Sequence, residues 1–175
     1  MLHPVEPAPP LSPEAARRAD QILYLALLSS HGVYAGLTIF LASSMQAGTP
    51  SHPDLALPLV ATALVAAGVA LYLDATRFRD AQIERWIDAA KQLSSDRQVL
   101  AREASQRALS TSILRWAVAD ITSLIGLLMV LLAGQPQSQG LMLVALGALC
   151  HLYCRPKMGA TIARIDEKLA TTRPQ

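Results

Sequence analysis

The stretch ILRWAVADITSLIGLLMVLLA, residues 113–133, is long and apolar enough to cross a membrane, yet it contains Arg115 and Asp120. A helix needs about 20 mostly apolar residues to span a hydrocarbon core of about 30 Å. Three other stretches are similarly apolar, at residues 22–45, 55–73 and 138–154. The whole chain of 175 residues is 52% hydrophobic and only 16% charged, which is typical of an integral membrane protein. We therefore predict an all-α integral membrane protein with four transmembrane helices.

The positions of the fifteen Lys and Arg residues indicate how these helices are oriented. The basic residues precede the first stretch, lie between the second and third, stand at the mouth of the third, or follow the fourth. None lies in the connections at 45–54 and 134–140. Because an excess of Lys and Arg marks cytoplasmic segments, both termini are predicted to face the cytoplasm. We expect a multi-pass protein of the plasma membrane, the inner membrane of a bacterium.

The chain divides into three parts. Residues 1–12 are rich in proline and are predicted to be a disordered leader, and a helix is expected to begin at about residue 13. The four-helix transmembrane domain covers 13–154 and carries a cytoplasmic helical hairpin at 74–112. In this hairpin the second span continues as a helix to about Leu93, and a new helix starts at Ser95, which has capping-box spacing to Gln98. Residues 155–175 are predicted to form a cytoplasmic amphipathic helix and tail.

Five polar side chains are candidates for an intramembrane or pore-lining site. They are His31, Tyr34, Asp120, Ser123 and Arg115. A charged group in hydrocarbon costs at least about 2.5 kcal/mol, so Asp120 is expected to face protein or water. One interpretation is a buried hydrogen bond or ion pair that holds helices together, formed by Asp120 with His31 or with Arg115 of the same or a neighbouring chain. Another is the polar lining of an aqueous path, and a proton relay is a third.

Small residues predict where the first two spans approach each other. Gly32 and Gly36 form a GxxxG strip on the first span, and Ala63 and Ala67 offer a small face on the second. Close packing within the chain is the simpler reading of this helix-packing set, and self-association through the glycines is the alternative. Four spans cannot enclose a wide pore, so any aqueous path requires several copies.

The hairpin carries an apolar face that could bind another protein. Phe78, Trp86 and Leu93 follow a helical spacing and are predicted to form a cytoplasmic partner face. The basic residues of the hairpin alternate with acidic ones, which does not fit a nucleic-acid surface, and no nucleic acid is expected as a partner.

No motif for catalysis, phosphate binding or dinucleotide binding occurs, so we do not expect an enzyme. The sequence CHLYC at 150–154 has no second cluster to complete a metal site, and no metal or cofactor is expected.

Two functions fit these features. The first is a homo-oligomeric inner-membrane channel or membrane-permeabilising effector, with a cytoplasmic helical bundle as gate or sensor. The second is a structural or anchoring subunit that docks a cytoplasmic partner to the membrane. The layout of membrane hairpins with cytoplasmic helices is similar to that of small membrane effectors of bacterial defence systems, a resemblance of layout that rests on no motif. The expected partners are further copies of the chain, membrane lipids, and a cytoplasmic protein or ligand.

Overall fold

The computed structural model describes residues 10–44 and 52–171, and within these ranges the chain is helical with no strand. The helices are α1 (Pro13–Ser44), α2 (Ala56–Arg77), α3 (Asp80–Lys91), α4 (Arg97–Leu131), α5 (Gln137–Tyr153) and α6 (Met158–Thr171), with a short 3-10 helix at Pro53–Leu55. The predicted all-α class is confirmed, and α1 begins at the predicted proline. Most of the proposed leader lies outside the described residues.

Among the residues that the structure describes, three helical segments are long and apolar enough to cross a membrane. They are Pro13–Ser44, Pro53–Arg77 and Arg97–Leu131. These segments identify a membrane-associated multi-pass protein. The fourth predicted span corresponds to α5, whose 17 residues cover about 26 Å at about 1.5 Å per residue. This length is less than the roughly 30 Å of a typical hydrocarbon core.

The long helix α4 is the centre of the fold. It contacts α1, α2, α3, α5 and α6, and the start of α1 joins α3 and α6 on its first half. Half of its most apolar window is buried inside the protein, a larger share than in α1 or α2. The stretch quoted at the outset is therefore an internal helix, and its polar residues face other helices.

The connection between α2 and α3 differs from the prediction. A continuous helix to Leu93 was expected, but α2 ends at Arg77 and α3 begins at Asp80. Arg79 is extended, with φ −80° and ψ 158°, so the chain changes direction there. The Phe78 ring lies edge-to-face with the Trp86 ring, 6.0 Å between centroids, and this contact holds the break.

The start of α4 matches the prediction more closely. Its N-cap is Asp96, one residue after the expected Ser95, and the Asp96 carboxylate accepts a hydrogen bond of 2.7 Å from the Gln98 amide. Helix α4 then runs without interruption into the apolar stretch, as predicted. The second arm of the hairpin and the third span are thus one continuous helix.

The charged end of the molecule has its own apolar core. We call the start of α1, all of α3 and α6, and the first half of α4 the head bundle. Its buried residues are Ala16, Phe78, Ile83, Trp86, Ile87, Ala90, Leu100, Ala101, Ala104, Ala108, Leu109, Met158, Ile165 and Leu169. Burial of this apolar surface holds the four segments together.

Two ion pairs fasten α3 to α6 at the surface of the head bundle. Arg164 pairs with Asp80, and Lys168 pairs with Glu84 at 2.6 Å. Hydrogen bonds from the Arg164 guanidinium lower the pKa of Asp80. The Glu84 carboxylate raises the pKa of Lys168 through its hydrogen bond. Both pairs are solvent-accessible, so their contribution to stability is small.

The predicted partner face is largely an internal surface. Phe78 and Trp86 are each only 7% exposed because they pack inside the head bundle, whereas Leu93 is 64% exposed. Phe78 precedes α3 and Leu93 follows it, so the three residues do not share one helix face, and residues of α4 and α6 of the same chain pack around the two rings. The surface therefore does not offer these two rings to a partner.

The structure buries the two predicted alanines within the chain but gives the two predicted glycines no close contact within it, so self-association through the glycines stays a prediction. Ala63 and Ala67 are buried against α4 and α5, in contact with residues such as Met129 and Cys150. A Cβ added at Gly32 or Gly36 would meet no atom within 4 Å. The glycine strip faces away from the protein because α1 packs on α4 and α5 through its opposite face.

The closest helix contact lies between α4 and α5. A Cβ at Gly126 would stand 2.5 Å from the carbonyl oxygen of Gly140, and one at Gly140 would stand 2.7 Å from that of Gly126. At Gly147 a Cβ would lie 2.9 Å from the amide nitrogen of Ser123. Only glycine permits this approach, which places α5 near the polar residues of α4 and α1.

Candidate functional site

Four of the five predicted polar residues come together between α1 and α4. We call the set Ser30, His31, Tyr34, Asp120 and Ser123 the polar seam. Asp120 accepts a hydrogen bond from the Tyr34 hydroxyl at 3.0 Å, and it lies 2.6 Å from the Ser30 hydroxyl, whose single proton it shares with the Leu27 carbonyl at 2.6 Å. The Nδ1 atom of His31 lies 3.9 Å from the same carboxylate. Ser30 is the member that the sequence analysis did not single out, although it directly precedes His31.

The hydrogen bonds around Ser123 define the state of His31. Ser123 Oγ lies 3.0 Å from the carbonyl oxygen of Val144 in α5 and 2.7 Å from Nδ1 of His31. The hydroxyl has one proton, and the carbonyl can only accept, so that proton goes to Val144. His31 must then donate through Nδ1, which assigns the tautomer from the network. The two hydrogen bonds of Ser123 therefore link α1, α4 and α5.

A cluster of four rings adjoins the polar seam. The His151 ring is fully buried, and its centroid lies 5.0 Å from that of Tyr24, 5.2 Å from that of His31 and 6.0 Å from that of Trp116. The stagger of α1 against α5 brings the His31 and His151 rings into edge contact.

Nothing in this region makes a metal centre. Among residues 10–44 and 52–171, no three His, Cys, Asp or Glu side chains are grouped so that they could hold a metal ion. Cys150 and Cys154 are free and buried, and Cys150 packs with alanines of α2 and α4. These cysteines behave as small apolar residues in a helix interface.

Arg115 belongs to a different cluster. Its guanidinium is fully buried, pairs with Asp74 of α2, and donates from Nη2 to the Arg155 carbonyl at 2.9 Å. Lys157 Nζ binds the other carboxylate oxygen of Asp74 at 2.7 Å. We call Asp74, Arg115 and Lys157 the boundary cluster, because it lies where the apolar helices meet the head bundle. Arg115, the second partner that the sequence suggested for Asp120, thus does not pair with it within the chain.

Aromatic rings complete the boundary cluster. The Arg115 guanidinium carbon lies 4.5 Å from the Phe78 ring centroid, so the cation is stacked on a ring on one side. The neighbouring Trp116 donates from Nε1 to the Cys154 carbonyl at 2.6 Å. Asp74 is only 5% exposed, and two cations share its charge. This burial was missed because Asp74 was counted with the solvated charges of the hairpin.

A signal for the inward position of Asp74 does exist in the sequence. Ala63, Ala67, Ala70 and Asp74 recur at spacings of three and four, so they share one helix face. The small residues on that face pack against α4 in the structure. A carboxylate that continues a packed face is expected to be buried and paired.

Comparison with known proteins gives no further guide to function. The chain matches no known protein family, no curated protein and no solved structure. Function must therefore be inferred from the polar seam, the boundary cluster and the head bundle.

Proposed function

We propose that the protein is a homo-oligomeric channel or membrane-permeabilising effector of a bacterial inner membrane, and that its head bundle is a cytoplasmic gate or sensor. The observation that carries this proposal is the position of Asp120. Its side chain lies at the edge of the α1–α4 contact and remains 17% exposed at the outer surface of the chain. Ile121 and Leu124 beside it are 43% and 39% exposed, so this surface is otherwise apolar.

A single copy in a bilayer would leave this carboxylate in contact with hydrocarbon. Exposure of a charge to hydrocarbon is costly, and the Ser30 and Tyr34 hydroxyls solvate only part of the group. A second copy against this face, or water held between copies, would remove the cost. We therefore place Asp120 at the interface of an assembly, close to an aqueous path.

The path would lie between copies and not through one chain. Gly126 and Gly140 bring the backbones of α4 and α5 into contact, which leaves no room for water between these helices. A ring of Asp120 carboxylates in a narrow, low-dielectric constriction would attract cations much more strongly than carboxylates in bulk water. Cation selectivity is the expected property.

The proposed topology has four spans with both termini in the cytoplasm. The distribution of Lys and Arg supports it, and the short α5 would cross by locally thinning the bilayer or by packing on α4. Reporter fusions at Thr49 and Gln137 should read as outside, and fusions at Ser95 and at the C-terminus as inside. An inside signal at Thr49 would overturn this topology.

The functional test is reconstitution of the purified full chain in planar bilayers after its copy number has been measured in detergent. We expect an assembly of four or more copies and a cation-selective conductance, if necessary after a stimulus to the head bundle. Asp120→Asn should reduce cation selectivity, whereas Asp88→Asn, which removes an exposed carboxylate of the head bundle, should not. A monomer, or assemblies that stay electrically silent under every condition, would refute the channel.

A structural or anchoring subunit is the alternative function. It is supported by the internal hydrogen bonds of His31 and Asp120, since a dry helix bundle needs the same polar contacts. The anchoring surface would have to lie elsewhere than Phe78 and Trp86. Silent assemblies that retain a bound cytoplasmic partner would favour this alternative.

A further inference from the structure

A groove lies beside the boundary cluster, between the end of α2 and the start of α6. It has a volume of about 370 Å³ and is lined by residues that include Asp74, Phe78, Arg79, Tyr153, Lys157 and Arg164. Three of these side chains are cationic and one is a carboxylate. Two further charges lie next to the groove: the negative Asp80, which pairs with Arg164, and the positive Arg115, which pairs with Asp74. These two charges cancel each other. The groove therefore keeps a net positive charge.

The donors that remain in the groove belong mainly to Arg79 and Lys157. Arg79 is exposed and donates from Nε to the Ala75 carbonyl at 2.9 Å, which leaves its two Nη groups for a ligand. No carboxylate of the described ranges pairs with Arg79. The Lys157 ammonium has three protons and donates to the carboxylate and the carbonyl oxygen of Asp74 at 2.7 and 3.5 Å, so one proton remains for a ligand; its side chain is 35% exposed.

Arg164 contributes charge but few free donors. Its Nε and Nη2 atoms bind Asp80, and its Nη1 donates to the Phe78 carbonyl at 2.8 Å. Arg164 therefore fixes one wall of the groove and strengthens its potential. A phosphate oxygen could reach the Arg79 fork and the Lys157 ammonium, which are the donors that phosphate groups prefer.

The position of the groove indicates which phosphate it meets. Tyr153 is 67% exposed at the end of α5, and Leu149, one turn earlier on the same face, is 64% exposed. An apolar stripe thus leads from the groove along the membrane part of α5. Tyrosines prefer the level of the lipid headgroups, and acyl chains would lie along the stripe below.

We propose that this groove binds the phosphate headgroup of an anionic membrane lipid. Arg79 and Lys157 would hold the phosphate, Tyr153 would lie at headgroup level, and Leu149 would contact the acyl chain. The site ties α2, α5 and α6 to the bilayer surface at the place where the boundary cluster joins them. The proposal requires that the apolar helices lie in a membrane, but it does not depend on channel activity.

Native mass spectrometry of the full chain in an uncharged detergent tests the site by counting bound lipids. The chain is titrated with short-chain phosphatidylglycerol, with short-chain phosphatidylcholine and with inorganic phosphate. We expect phosphatidylglycerol to bind more tightly than phosphatidylcholine. Arg79→Gln should weaken phosphatidylglycerol about five- to tenfold, Arg79→Lys should weaken it less, and Arg85→Gln, an exposed control with the same change of charge, should leave it within about twofold.

Three results would overturn the proposal. Equal weakening by Arg79→Gln and Arg85→Gln would show general attraction to charge and no groove. Equal affinity for phosphatidylglycerol and phosphatidylcholine would show that the groove does not select lipids with a net negative charge. Displacement of phosphatidylglycerol by an equal concentration of inorganic phosphate would assign the groove to a free phosphate. Both arginines are exposed in the structure, so neither variant should change the melting temperature.

Discussion

Asp74→Asn is the substitution that most directly probes how the head bundle is joined to the apolar helices. The asparagine keeps the size of the side chain but removes the charge that Arg115 and Lys157 share. Lys157 is 35% exposed and can turn towards solvent, so its loss costs at most about 1 kcal/mol. Arg115 is 0% exposed and cannot leave. It would keep the Arg155 carbonyl, the Phe78 and Trp116 rings and the neutral amide oxygen of the new asparagine, none of which carries a compensating charge.

The expected cost follows from that uncompensated charge. Removal of one member of a buried ion pair costs about 3–5 kcal/mol, because the remaining charge stays desolvated. We expect Asp74→Asn to lower the free energy of unfolding by this amount. Reversible unfolding of the full chain in mixed micelles would measure it. The control is Asp88→Asn, whose carboxylate is 67% exposed beside Lys91 and should cost less than about 1 kcal/mol.

A double substitution separates a buried pair from a merely sensitive position. In Asp74→Asn with Arg115→Met the buried charge that Asp74→Asn leaves unpaired is itself removed, so the double variant should be more stable than the sum of the two single losses predicts. Additive losses, or an Asp74→Asn variant no less stable than Asp88→Asn, would mean that Arg115 is hydrated. The description of a dry boundary cluster would then be wrong.

Three further predictions concern the polar seam, the α4–α5 contact and the head bundle. Asp120→Asn should leave the free energy of unfolding nearly unchanged. Asp120→Leu should lower it by about 1–3 kcal/mol, because the hydroxyl groups that contact Asp120 lose this acceptor. Equal stability of the two variants would refute the orientation of the Asp120 side chain towards α1. Gly126→Ala should lower the free energy of unfolding by about 1–3 kcal/mol or more in the same assay. The control Gly68→Ala, whose new Cβ would have no atom within 4 Å, should change it by less than about 1 kcal/mol. Similar effects at both positions would refute the close contact between α4 and α5. Because the pKa of Asp80 is lowered, its ion pair stabilises the head bundle at pH values above the ordinary pKa of 3.8, and this contribution is lost as the pH falls through the lowered pKa. Thermal stability measured as a function of pH should therefore show a smaller loss in acid for Asp80→Asn than for the parent protein. Identical pH profiles would contradict this prediction.

The sequence allowed the elements to be predicted well because their signals are local. Helix α1 begins at Pro13, where a serine, a proline and an acidic residue coincide, and α4 begins within two residues of the expected cap. These signals depend on neighbouring residues alone. The break at Arg79 was missed because no glycine or proline marks it. In the structure the Phe78 and Trp86 rings pack against each other across it, a contact that no local sequence signal announces.

The partners of buried polar groups were predicted only in part. The cost of a charge in hydrocarbon correctly turned Asp120 towards other helices, but two candidates for its partner remained, His31 and Arg115. The closest partners in the structure are hydroxyls, and His31 stands 3.9 Å away. Hydropathy gives the depth of a residue, whereas the rotation and stagger of helices decide which groups meet. That information depends on contacts such as Gly126 with Gly140, which no single helix reveals.

Helix α4 connects the two polar clusters. Arg115 lies in the boundary cluster and Asp120 in the polar seam, five residues or about 8 Å apart on one uninterrupted helix of 35 residues. A displacement of α4 would therefore act on both clusters. The contacts differ in how easily they yield: Arg115 is locked by burial, whereas Lys157 is partly exposed and lies in the link that leads to α6. Solvent can therefore compete for the Lys157 contact with Asp74 but not for the Arg115 contact, so the buried Arg115–Asp74 pair is the one that fixes α4 to α2.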